Sequence, residues 1–220
     1  MPVTLDYIEQ YIRQLLTQND QNLKEMEQYA KNHHIPIIQP EIAKLLSILI
    51  KISKPQNVLE IGTAIGYSTL VMAKAMEGRG RIVTIERDGS MVDRAQKNFQ
   101  SSPYGHMITV KIGDALDIMD NIEGVYDLVF MDGCKGHYID LLPSCTRIMN
   151  TGGLLICDNV LFRGMIANNE LVKRRKITIV KRMRKFLKHL CNHPLYDTIV
   201  IPMGDGVSIS YKKEEAKINE

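Results

Sequence analysis

From residue 57 onward the chain alternates short β-branched runs with helical stretches, and that alternation leaves few folds open. Residues 58–61, 82–86, 108–112, 126–132 and 153–158 are apolar runs of strand length, and residues 68–76, 90–99, 115–119 and 138–149 carry apolar residues at helical spacing. A strand–helix–strand series closes into a parallel sheet covered on both faces, and such sheets take their ligands at the carboxyl ends of the strands. The tail breaks the pattern. Residues 198–202 and 207–211 are two β-runs joined by Met203-Gly204-Asp205-Gly206, a hairpin signal, so the sheet should finish antiparallel.

The first strand leads into Val58-Leu59-Glu60-Ile61-Gly62-Thr63-Ala64-Ile65-Gly66-Tyr67-Ser68. A strand, a glycine turn and a helix start let backbone approach a ligand closely, with free N–H groups facing it. The G-x-x-x-G spacing is neither the G-x-G-x-x-G of dinucleotide folds nor a P-loop, which needs G-K-[ST]. Every later strand also ends on a polar residue: Glu86, then Gly113-Asp114-Ala115, then Asp132, then Asp158-Asn159. Each alone reads as an ordinary loop residue or helix cap; five in succession read as a site. Glu86 follows Gly62 by 24 positions, near the ~20 expected of a carboxylate that accepts ribose hydroxyls.

If strands four and five are neighbours, Asp132, Asp158 and Asn159 bring three oxygen donors together. Oxygen ligands without His or Cys suit a hard cation such as Mg²⁺. Lys135 stands three residues beyond Asp132, a place from which an amine can take a hydroxyl proton. The alternative is a solvated loop lysine. His137 reads as a helix-start surface residue and Tyr138 as core.

The 220 residues suit one domain: an N-terminal helical cap over 1–53 and a Rossmann-like core over 54–211. Residues 3–33 read as helix broken at Asn19-Asp20, residues 35–40 as an extended Pro-bounded linker, and residues 41–52 as an amphipathic helix. Cys134, Cys145, Cys157 and Cys191 form no C-x-x-C pair, which fits a reducing compartment rather than a zinc or disulfide framework. With no visible signal peptide and no apolar run long enough to span a bilayer, the expectation is a soluble cytoplasmic protein.

Charge is unevenly spread. Nine Lys or Arg and no acid lie between Lys173 and Lys188, so the formal net of +3 conceals a remainder of 19 basic and 25 acidic residues, a net of −6. On a helix, Val180, Met183, Leu187 and Leu190 share one face with Phe186 beside them. Lys181, Arg184, Lys185 and Lys188 share the other, with Arg174 continuing the stripe. A solvated face usually mixes signs; an acid-free one suits a polyanion such as RNA.

The motifs at 58–68, at Asp132-x-x-Lys135-x-x-Tyr138 and at Asp158-Asn159-Val160-Leu161 together resemble the cation-dependent, S-adenosylmethionine-using O-methyltransferases of the caffeoyl-CoA and catechol type, over residues 37–211. The resemblance implies a class I methyltransferase fold: α/β and Rossmann-like, with a mostly parallel seven-stranded sheet that ends in an antiparallel hairpin, and N-terminal helices. It implies that Ile38, Glu60, Gly62, Tyr67, Ser68, Glu86, Arg87, Gly113, Asp114, Ala115 and Asp132 surround S-adenosylmethionine. It places the metal on Asp132, Asp158 and Asn159, catalysis on Lys135 with Asp132, and the protein in a homodimer. His33-His34-Ile35-Pro36-Ile37, Asn159-Val160-Leu161-Phe162-Arg163-Gly164 and the basic helix with Asn192-His193-Pro194 narrow the likeness to the bacterial members that methylate 5-hydroxyuridine in tRNA. Arg163, Arg174, Lys181, Arg184, Lys185 and Lys188 would then hold the RNA. No equivalent of the aromatic walls around a catechol or caffeoyl ring is evident, although a small catechol-like or acyl-CoA substrate is the alternative.

Overall fold

The computed structural model describes residues 3–17 and 20–215. Three helices come first: α1 (Asp6–Leu15), α2 (Gln21–Asn32) and α3 (Pro40–Ser53). The Asp20 side chain caps α2 by accepting Leu23 N–H, and Pro40 occupies the first turn of α3, where no N–H is required. Asn19 lies outside the described residues.

The sheet is built from β1 (Asn57–Ile61), β2 (Arg81–Glu86), β3 (Ile108–Ile112), β4 (Tyr126–Met131), β5 (Met149–Cys157), β6 (Tyr196–Ile201) and β7 (Val207–Lys212). Their order across the sheet is β3-β2-β1-β4-β5-β7-β6, with every pair parallel up to β5 and the last two pairs antiparallel. Strand order reverses between β1 and β4, which opens a crevice at their carboxyl ends. The helices between strands are α4 (Tyr67–Ala75), α5 (Gly89–Gln100), α6 (Ala115–Asn121), α7 (Tyr138–Ile148) and α8 (Ile177–Cys191).

Alternation along the central strands sorts two cores. Val58, Leu128 and Phe130 face the layer built with α2–α5, while Leu59, Ile61, Val129 and Met131 face the layer built with α6–α8. The largest strand departure from the sequence reading is at the start of β5. Strand β5 begins at Met149, where the helical pattern was expected to continue, because Met149 pairs with Tyr126; extra β5 residues then bulge out before Leu154 pairs with Leu128. Among the described residues, no helix is long and apolar enough to cross a membrane.

Candidate active site

The glycine turn is forced by its neighbours. Gly62 has φ +104°, and a Cβ there would stand 2.7 Å from Gly133 N, so the loops after β1 and β4 meet backbone to backbone. Gly66 has φ +81°, and a Cβ there would enter the Phe99 ring at 2.4 Å. Neither position tolerates a side chain.

Beside this turn the Glu86 carboxylate accepts three backbone N–H groups, from Ala64 at 2.9 Å, Arg87 at 2.9 Å and Asp88 at 3.0 Å. It ties the glycine turn to the end of β2 and lines the main cavity. Glu60 behaves differently. It is fully buried beneath the turn, where Ser68 (2.5 Å), Thr69 and Thr84 (2.6 Å) all donate hydroxyls to its carboxylate. Burial pushes its pKa up to about 7 against those three hydrogen bonds. Because the single Thr84 proton is committed to Glu60, Thr63 must be the donor in the 2.6 Å contact between the two threonine hydroxyls.

The main cavity, about 640 Å³, brings together Gly62, Ala64, Glu86, Asp132, Gly133, Lys135, Asp158 and Asn159. Its outer wall is Val3, Glu9, Arg13, Pro36, Ile37 and Gln39 on one side, and Arg163, Gly204 and Asp205 on the other. A smaller lobe of about 110 Å³ adjoins it at Gly62, Glu86 and Gly133 and is lined further by Arg87, Gly113, Ala115 and Cys134. Asp114 caps α6 by accepting Leu116 N–H at 3.0 Å and stands 3.6 Å from Arg87.

The ends of β1, β4 and β5 are pinned together. Asp132 N–H donates to Ile61 O at 3.0 Å, and Asp158 N–H to Met131 O at 2.9 Å. The buried Tyr138 hydroxyl lies 2.9 Å from Met131 O and 3.1 Å from Asp158 O, so this core residue also ties the two strand ends. The Asp132 side chain makes no hydrogen bond among the described residues, while Asp158 Oδ1 accepts Asn159 N–H at 2.6 Å. Burial, and then the charge of Asp158, hold the Asp132 carboxyl well above the usual range; burial also raises Asp158, against its Asn159 hydrogen bond and Lys135. Two neighbouring buried carboxyl groups that line an open cavity offer oxygen donors. Among the described residues no three His, Cys, Asp or Glu converge, so the set is two carboxylates and the Asn159 carboxamide. That chemistry fits a hard divalent ion.

Lys135 opens a 3-10 turn (Lys135–His137), reached through Cys134 in the left-handed region at φ +58°. Its charge is felt at Asp132, Asp158 and Asp205. After β5, three non-glycine residues adopt positive φ: Asn159 at 58°, Phe162 at 42° and Arg163 at 55°. Each costs on the order of 1–3 kcal/mol and persists only where its surroundings impose it. The β6–β7 turn does so in part: Val160 N–H donates to Gly206 O at 2.9 Å, Leu161 N–H to Asp205 O at 3.0 Å, and Arg163 N–H to Asp205 Oδ1. Asp205 was not singled out in the sequence, although its glycine-flanked place in a hairpin turn was the available signal.

Several expected residues lie off the cavity wall. The Ile38 side chain is in the core, and its neighbours Ile37 and Gln39 line the cavity instead. Tyr67 is buried and donates to Glu27 at 2.5 Å beside a separate cavity behind α3 and α4. Ser68 and Glu60 support the turn from below. Arg184, placed by periodicity on the exposed stripe, is only partly exposed. Its guanidinium donates to Met165 O (2.9 Å), Ile166 O (2.9 Å) and Asn169 Oδ1 (2.7 Å), which clamps the loop beyond Arg163. Arg182 likewise grips Gly136 O and Asp140 behind Lys135.

The rest of the stripe points outward. Lys173, Arg174, Arg175, Lys181, Lys185 and Lys188 are exposed, and their side chains make no hydrogen bond or ion pair among the described residues. Val180, Met183, Phe186 and Leu190 are buried and Leu187 partly so.

A doubly wound sheet with a glycine-turn crevice, a carboxylate at the end of β2 and an oxygen-lined pocket beside it defines a methyltransferase-type site. A family profile described as O-methyltransferase matches residues 14–213. The chain belongs to that family and is an S-adenosylmethionine-dependent O-methyltransferase. It is 28% identical to a catechol O-methyltransferase of Niastella koreensis over 89% of this chain and 90% of that one. It is 27% identical to a caffeoyl-CoA O-methyltransferase of Petroselinum crispum, over 93% and 90% respectively. Among solved structures, an O-methyltransferase from Bacillus cereus in complex with S-adenosylhomocysteine superposes with a TM-score of 0.82 at 26% identity, covering 94% of this chain and 97% of that one.

Proposed function

We propose that this enzyme holds a divalent cation on Asp132, Asp158 and Asn159 and methylates a hydroxyl that has a second oxygen beside it, with 5-hydroxyuridine in tRNA as the acceptor. The observation that carries the RNA reading is the acid-free run from Lys173 to Lys188, exposed at Lys173, Arg174 and Arg175 just before α8 and at Lys181, Lys185 and Lys188 on α8, whose Arg182 reaches the turn holding Lys135. The same helix holds, through Arg184, the loop beyond the cavity-lining Arg163. The curated relatives favour a second reading, a catechol or an acyl-CoA ester, since those are the acceptors in their names.

In either case the chemistry divides among the same residues. Glu86 accepts a ribose hydroxyl of the donor, and the lobe at Arg87, Gly113 and Ala115 takes its base. Asp132, Asp158 and Asn159 would hold a divalent cation, which would supply Lewis acidity toward the acceptor hydroxyl. Lys135, acting in its neutral amine form, takes the hydroxyl proton and becomes the ammonium as the oxygen–carbon bond forms and the carbon–sulfur bond breaks, leaving a neutral thioether. The outer wall at Ile37, Gln39 and Asp205 keeps the acceptor oriented and water out.

The test offers the purified protein three acceptors with S-adenosylmethionine: tRNA from a strain lacking this protein, catechol and caffeoyl-CoA, each with Mg²⁺ and with a chelator. Nucleoside mass spectrometry should show 5-methoxyuridine only in the Mg²⁺ arm. Methylation of either small molecule with unmodified tRNA would establish the second reading.

A further inference from the structure

Loop 159–163 is the least comfortable backbone near the site, with Asn159, Phe162 and Arg163 all left-handed, and a free chain leaves such conformations. What imposes them is the turn between β6 and β7. Gly206 O and Asp205 O take the N–H groups of Val160 and Leu161, and Asp205 Oδ1 takes that of Arg163. The fit is close. Gly206 has φ +87°, and a Cβ there would stand 2.4 Å from Leu161 Cγ and 2.8 Å from Leu161 N. Asp205 also lines the cavity that Asp158 and Asn159 face. Mere turn closure would not need a carboxylate that reaches out of the hairpin to a backbone N–H 42 residues away.

We propose that Asp205 is a positioning residue for the cation site: by accepting the Arg163 N–H it holds residues 159–163 in the course that presents Asp158 and Asn159 to the cavity. This rests on the cation reading above. The role is that of the outer partners of metal ligands, which fix a ligand's orientation without touching the ion.

The experiment measures Mn²⁺ binding to the full-length protein by water-proton relaxation, with neither donor nor acceptor present. Asp205→Ala should weaken Mn²⁺ by about 10- to 100-fold, the usual effect of removing such a partner. Asp205→Asn keeps an oxygen for the Arg163 N–H and should stay within about threefold of the parent. Calorimetric affinity for S-adenosylmethionine, measured on both variants, should match the parent, because the donor lobe lies across the cavity. If Asp205→Ala fails to hold the donor, Asp205→Ser, too short to reach Arg163, takes its place. Parent-like Mn²⁺ binding in the truncated variant overturns the inference and leaves the cation reading standing. An Asn variant as weak as the Ala variant also overturns it, since the carboxylate would then act by its charge. A parent protein that binds no Mn²⁺ overturns the cation reading itself.

Discussion

Replacing Glu86 with Gln changes one oxygen into an NH₂ group and little else, so its consequence can be worked from the hydrogen bonds. A carboxylate offers about four acceptor positions, and Glu86 uses three of them on Ala64, Arg87 and Asp88. One position remains for a ribose hydroxyl. A Gln amide must turn its nitrogen toward something. Facing Arg87 and Asp88 it would orphan two donors; facing Ala64 it orphans one, so the second arrangement wins. The surviving oxygen is then the one already doubly occupied, and the ligand meets an NH₂ where it met a carboxylate. The loss is one charge-assisted hydrogen bond, about 1.5–3 kcal/mol, which is roughly a 10- to 150-fold rise in Kd for S-adenosylmethionine. The Ala64 N–H, half-buried in the glycine turn, adds about 1 kcal/mol to the loss of stability. Titration calorimetry of parent and variant reads the first term, and thermal unfolding reads the second. A Kd within twofold of the parent would refute the assignment of Glu86 to the donor.

Three other outcomes follow from the site. Asp158→Ala should abolish turnover while donor affinity changes less than twofold, because Asp158 lies on the cation side of the cavity; full activity of that variant in a chelator would show that no cation takes part. Because burial raises both Asp132 and Asp158, and the charge of Asp158 raises Asp132 further, the pair titrates between about 6 and about 8. Raised carboxyl groups stabilise the fold below their unfolded values and lose that contribution as pH rises through the folded ones. The cation-free Tm should therefore fall from pH 6 to 8.5, while the Tm increase on adding Mg²⁺ should grow over the same window; a Mg²⁺ effect independent of pH would contradict the assignment. Finally, Lys181, Lys185 and Lys188 changed together to Glu should destroy tRNA methylation and leave donor binding intact. Each lost phosphate contact should flatten the salt dependence of RNA binding by about one unit of slope. Arg184 is left in place because its substitution would release the loop it clamps.

How much of this was legible in the chain depends on the range of the interaction. The alternation of strand and helix, the antiparallel tail and the glycine turn are written in local periodicity and turn chemistry, and they placed the carboxyl end of every strand within a residue of its observed position. Asp132 and Asp158 were visible as candidates because a polar residue at the end of an apolar strand is conspicuous locally. Contacts between distant segments were not legible. Glu60 and Glu86 look alike in sequence, each an acid near a strand end, yet one is sealed under three hydroxyls and the other opens to the cavity, because side-chain alternation and helix α4 decide which face each meets. Arg184 fell on the cationic stripe by its spacing. Only the return of loop 165–169 against α8 gave its guanidinium carbonyls to bind and took it off the surface. Asp205 lay in an ordinary hairpin signal; its reach to Arg163 exists only once β7 pairs with β5 and brings the turn against the loop after that strand. Periodicity reports what one residue does to its near neighbours along the chain, and it determined the scaffold. The partners of a buried or reaching side chain come from other strands and helices, so the tertiary structure decided which acids face the cavity and which cations remain free.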